Sequence, residues 1–98
     1  MATFISLVNF TQQGIRDFKA SPERSAKFRG MAQKAGVTIK DIYWTVGVYD
    51  VVIIMESPDD ETAAALMLSL ASFGNVSTHT LRAFNSSEME KIISKIPD

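Results

Sequence analysis

Five consecutive residues, Val51-Val52-Ile53-Ile54-Met55, are apolar, bounded by Gly47 before and Ser57-Pro58 after. The run is too short for a buried helix and rich in β-branched residues, so it reads as a strand. Side chains alternate across a strand, and a strand apolar on both sides needs cover on both sides. The first segment, Thr3 to Phe10, makes the same demand: Ile5 and Leu7 point one way, Phe4, Val8 and Phe10 the other. Helices can cover one face of such a sheet, and a large apolar face left open is a liability. The economical cover is a second copy of the chain. A homodimer packed sheet against sheet is therefore expected, with room for a higher oligomer. A monomer whose last helix folds over the bare face is the competing account.

Ninety-eight residues make one domain, spanning 1–98. A chain of this length buries about two thirds of the surface its unfolded form exposes, enough to fold alone. The apolar share, 46%, is ordinary, and no apolar run approaches the ~20 residues of a membrane span. The start has no charged segment or cleavage site, so no signal peptide is expected. Ten basic and eleven acidic residues give a net charge of −1, without the basic surplus a nucleic-acid partner usually leaves. The absence of cysteine excludes disulfides and thiolate chemistry and fits a cytoplasmic protein.

Ser21-Pro22-Glu23 has the composition of a helix start, with Ser21 as cap, and Phe28, Met31, Ala32 and Ala35 form its apolar stripe up to Gly36. Before it, Gly14 interrupts a short, weakly helical piece reaching Phe18. Val37–Val46 and Tyr49–Glu56 read as strands joined by Gly47-Val48, a spacing that suits a type II′ turn. Ser57 is expected to cap a second helix with apolar Ala63, Leu66, Met67 and Leu70, ending at Gly74. Val76–Phe84 reads as a fourth strand. A last helix starts near Ser87, where Glu90 can complete a capping box, and Pro97 stops it. The order βαββαβ plus a C-terminal helix is the split βαβ, ferredoxin-like arrangement of the α+β class, built on an antiparallel four-stranded sheet.

Residues 43–84 resemble the signature of the GYD-domain family, small bacterial proteins named for a Gly-x-Tyr-Asp motif, here Gly47-Val48-Tyr49-Asp50. Ser57-Pro58-Asp59-Asp60 and the stretch from Gly74 to Phe84 extend the likeness over almost the whole chain. The family's Thr-x-x-Thr-Leu-Arg-Ala type of ending has its counterpart in Ser77-Thr78-His79-Thr80-Leu81-Arg82-Ala83. The resemblance implies a ferredoxin-like, dimeric α/β barrel. It implies no reaction.

His79, the sole histidine, is the natural candidate for acid–base work. By analogy with haem proteins of this barrel fold it is also a candidate axial ligand. The plainer reading, a strand histidine bonded to a neighbour or facing solvent, is preferred. Tyr49 and Asp50 can donate to and accept from a small oxygenated ligand, or else fill the barrel end and cap the turn. Arg82, on one strand face with Thr78, Thr80 and Phe84, can clamp a carboxylate or pair with an acid across the dimer. Tyr43 and Trp44 alternate faces, so one packs under a helix while the other lines a pocket or the dimer seam. Tyr43, Trp44, Tyr49, Thr80 and Arg82 are thus the candidate ligand-binding set. Glu56 reads as an exposed strand end. Asp59-Asp60-Glu61 is explained by the helix dipole, so no metal site is expected there. No phosphate-binding glycine loop, nucleophile elbow or RNA-binding aromatic motif appears.

The leading expectation is a dimer that binds a small apolar or aromatic molecule in its barrel cavity, without a cofactor. The alternative is a cofactor-independent oxygenase or isomerase using Tyr49, Asp50, His79 and Arg82, on fold analogy alone. A structural or assembly module without ligand is the third.

Overall fold

The computed structural model describes residues 1–98 and bears out the order of elements. Strand β1 spans Ala2–Phe10, helix α1 Gln12–Arg16, and a 3-10 turn at Phe18–Ala20 leads into α2, Ser21–Ala35. Strands β2 (Thr38–Trp44) and β3 (Val51–Ser57) follow, then α3 (Asp60–Ser72), β4 (Val76–Ala83) and α4 (Ser86–Ser94). The sheet runs β2-β3-β1-β4 with every neighbour antiparallel, so the two most apolar strands occupy its centre.

Burial alternates along β1 and β3 and fixes which face the helices cover. Phe4, Ser6 and Val8 are buried on β1, and Val51, Ile53, Met55 and Ser57 on β3. With Phe28 and Ala32 of α2 and Ala63, Leu66 and Met67 of α3 they make the core on one side of the sheet. Ser6, polar in this layer, is satisfied by Thr80 across the strand pair, Oγ to Oγ1 at 3.1 Å. The odd-numbered residues of β1 and the even-numbered ones of β3 face away from the helices.

Four local expectations need correction. The link between β2 and β3 is not a two-residue turn: residues 45–50 form a longer loop, closed by Thr45 N–H donating to Asp50 C=O at 2.8 Å. Asp50 also bonds to β1 on its other side. Its N–H donates to Val8 C=O at 2.8 Å and its Oδ2 accepts from Phe10 N–H at 2.8 Å. Gly47 sits at the tip with φ +152°, a value side chains disfavour, so a glycine is required there for the loop itself. Ser21 does not cap α2. The 3-10 turn runs straight into the helix from Ala20, and the Ser21 hydroxyl is taken by the Trp44 indole.

Ser57 does not cap α3 either. It is still paired with Ala2 as the last residue of β3, and Asp59 caps instead, accepting from Thr62 N–H at 2.7 Å. The capping box of α4 lies two residues earlier than expected: Asn85 accepts from Glu88 N–H at 2.8 Å, and Glu88 Oε1 accepts from Asn85 N–H at 3.0 Å.

Helix α4 buries no residue and does not cover the bare sheet face. On that face Tyr43 and Leu81 remain 54% and 51% exposed. The molecule is long, 53 Å on its main axis, with a radius of gyration of 14.9 Å. A compact chain of this length would have about 13 Å.

Candidate functional site

Strand register sorts the sequence candidates onto two sides of the sheet. His79 pairs with Leu7 and Tyr43 with Val52, so both side chains belong to the bare face. Tyr49, leaving the loop, meets His79 there edge to face, with ring centroids 6.4 Å apart. Glu56, at the far edge of the same face, is held by Lys40 at 3.2 Å, where a bulge at Lys40 breaks the register.

The other candidates lie on the helix side. Thr80 is occupied by Ser6, and Arg82 pairs with Phe4. The guanidinium of Arg82 stacks 4.4 Å from the Phe84 ring centroid and 5.7 Å from that of Phe4. It also bonds the backbone carbonyls of Thr3 and Ala83 and reaches Glu88 at 3.6 Å. Its acid partner therefore belongs to α4 of the same chain, where it ties the base of that helix to the sheet. Asn85 N–H, with Arg82 nearby, holds the Glu88 carboxyl below the usual carboxylate range, against a smaller opposing effect of desolvation. Asp59 is lowered likewise by its hydrogen bonds to Thr62. The acids at 59–61 are accounted for by the start of α3, as the dipole argument anticipated.

Arg82 and Thr80 are thus separated by the sheet from Tyr49 and His79, and the Asp50 carboxylate is engaged with the Phe10 amide. The arrangement brings one tyrosine and one histidine together, not the four-residue constellation of the enzyme alternative.

A cavity of about 570 Å³ lies on the helix side, between the first half of α2, the end of α3 and the sheet. Phe28 and Met31 of α2, Leu70 and Phe73 near the end of α3, and Trp44 from β2 give it a mostly apolar lining. Trp44 Nε1–H donates to Ser21 Oγ at 2.9 Å, which fixes the indole against the mouth. Among the proposed ligand-binding residues only Trp44 lines this cavity. Sequence reasoning missed Arg24 and Lys27, also in its wall. Their spacing of three on α2, beside the apolar stripe, was the available signal.

Comparisons with known proteins agree with this architecture. The family model described as "GYD domain" matches residues 4–93. A Thermus thermophilus protein named "Glutamine synthetase and cystathionine beta-lyase binding protein" is 38% identical over 84 residues, 85% of this chain and 88% of that protein. A crystal structure of a protein from Thermus thermophilus superposes with a TM-score of 0.63 at 19% identity, covering 88% of this chain and 96% of that one. The C-terminal domain of the MgtC protein from Mycobacterium tuberculosis gives 0.56 at 11% identity, covering 84% and 86%. An ACT domain protein from Streptococcus pneumoniae gives 0.51 at 20%, covering 85% and 90%. These structural likenesses speak for the fold.

Proposed function

The chain belongs to the GYD-domain family, and from that premise we propose that it is a non-catalytic binding module, a homodimer joined through its bare sheet face that holds a protein partner. The observation that carries this reading is the bare face itself. Ile5, Leu7, Val52, Ile54 and Leu81 occupy it together with Tyr43, and no element of the chain covers them. Four strands about 4.8 Å apart and about seven residues long present roughly 450 Å² in plan, a size of patch that is often functional. A two-fold axis makes such a patch its own complement, so one surface serves both copies. The separation of the candidate polar residues supports binding over catalysis, because an acid–base pair must lie within hydrogen-bond reach of one substrate. The thermophilic relative, named for binding two metabolic enzymes, supports an enzyme as the further partner. A cytoplasmic location accords with partners of that kind.

The Tyr49–His79 contact supports a second reading. In a sheet-to-sheet dimer this pair and Tyr43 would face the barrel interior, where a small apolar or aromatic molecule would be held.

Native mass spectrometry tests both, on the chain alone and mixed with purified glutamine synthetase or cystathionine beta-lyase. The expected result is a dimer that joins at least one enzyme, with Ile54→Asp reducing it to a monomer. A wild-type monomer at micromolar concentration, or a dimer that joins neither enzyme, overturns the main reading. A defined extra mass on the dimer favours the second.

A further inference from the structure

The cavity between α2 and α3 opens on the side of the sheet away from the proposed dimer face, so assembly leaves it accessible. Its lining includes two cations, Arg24 and Lys27, and no carboxylate, although the whole chain carries a net charge of −1. Arg24 is held in place mainly by backbone carbonyls, with one distant counter-charge. Its guanidinium donates to Asp17 C=O at 2.9 Å and to Gly14 C=O at 3.3 Å. The Asp17 carboxylate stands 3.9 Å off, and it is largely exposed. Lys27 makes no ion pair. Ser21 is buried at the same wall, and its oxygen already accepts from Trp44. Its own hydroxyl proton has no acceptor among the hydrogen bonds of the chain and is free to turn inward.

We propose that this cleft is a binding site for a hydrophobic monocarboxylate, an acid whose aromatic or branched apolar body fills the space against Phe28, Leu70, Phe73 and Trp44. The carboxylate would sit between Lys27, Arg24 and the Ser21 hydroxyl. The volume lies within the ~300–1,000 Å³ usual for small-molecule sites, and an apolar wall with a few convergent polar groups is their usual composition. The charge selects the class. A neutral apolar ligand would leave Lys27 without a counter-charge, and two cations in a mostly apolar wall suit one carboxylate rather than a polyanion.

Trp44 is the only tryptophan of the chain and serves as an internal reporter. Its fluorescence is titrated with 4-phenylbutyrate and with the neutral 4-phenylbutanol, and amide shifts of labelled protein locate the binding. The acid is expected to bind saturably, with shifts confined to α2, the end of α3 and the strand ends beneath them, and about tenfold more tightly than the alcohol, the worth of one charge-assisted hydrogen bond. Lys27→Glu, on an exposed position of α2, is expected to weaken the acid at least as much and to leave the alcohol unchanged. Equal affinity for acid and alcohol overturns the proposal, as does an unaffected Lys27→Glu. Absence of saturation also overturns it, and shifts centred on Tyr49 and His79 would reassign the ligand to the barrel.

Discussion

A methyl group built at Gly14 would fall 1.9 Å from the carbonyl oxygen of Asn75, a backbone atom with little freedom to withdraw. The approach is held by two contacts with the segment that ends α3. Thr11 N–H donates to Asn75 C=O at 3.0 Å, and the Thr11 hydroxyl to Gly74 C=O at 2.6 Å. Gly14→Ala must push these segments apart, at a cost of about 1–3 kcal/mol as for other overpacked sites. Gly30, inside α2, faces open space, and alanine there removes unfolded-chain freedom without a clash. Gly30→Ala is expected to stabilise by about 0.5–1 kcal/mol. Urea denaturation of the two variants should therefore move in opposite directions from wild type, and a shift of the same sign would refute the account. What distinguishes the two glycines is a neighbour some sixty positions away, which no local pattern contains. Asp50 is a similar case: its type suggested a turn cap, and its actual partner, the Phe10 amide, lies across the sheet.

At the scale of elements, periodicity and glycine stops make most helices and strands legible in the sequence, whereas a helix start depends on which side chain wins a contested bond. Ser21 and Ser57 have the right chemistry for caps, yet one hydroxyl accepts from the Trp44 indole and the other donates to Asp59 C=O at the end of a strand. Helix α4 shows how much a start can matter. It has nine residues and buries none, so its own propensity is marginal. The Asn85–Glu88 box and the Arg82–Glu88 pair remain to hold it. Glu88 is depressed in the folded state, first by Asn85 N–H and then, after an opposing desolvation, by Arg82. A depressed carboxylate contributes stability above its unfolded value and loses it as pH falls through the lowered folded value. The helical signal of residues 86–94 is therefore expected to fade below the ordinary glutamate range, about pH 4.3. Helix α3, whose cap is also an acid, is pinned by Ala63, Leu66 and Met67 and should persist over the same range. Carbon chemical shifts across an acid titration check this. Glu88→Gln keeps an acceptor for the Asn85 amide and should make α4 insensitive to pH, and a helix that still fades in that variant would locate the titrating group elsewhere.

For the whole molecule, the two-faced strands β1 and β3 set the terms. Their helix-side residues are buried within one chain, while Ile5, Leu7, Val52 and Ile54 have only each other and their flanking strands. This is the part of the site most legible in the sequence, because a strand apolar at every position asks for cover on both faces whether or not the cover belongs to the same chain. The cleft was illegible for the opposite reason. It is formed between α2, the end of α3 and the sheet, and sequence periodicity records that a residue faces inward, not how much space it finds there. If the bare face is closed by a second copy, folding and association are linked, and mass action makes thermal stability depend on protein concentration. The melting temperature of the wild type should rise steadily over a hundredfold increase in concentration. Ile54→Asp, opposite Ile5 and Asp41 at the middle of the face, puts a charge where the partner's apolar surface would lie. Its own fold should survive, because that side chain is only half-buried and outside the core. Its melting temperature should be lower and independent of concentration. A wild type whose melting temperature does not change with concentration would mean that the exposed face is not closed by a copy of the chain, and the pressure to bury it would have to be met by a different protein.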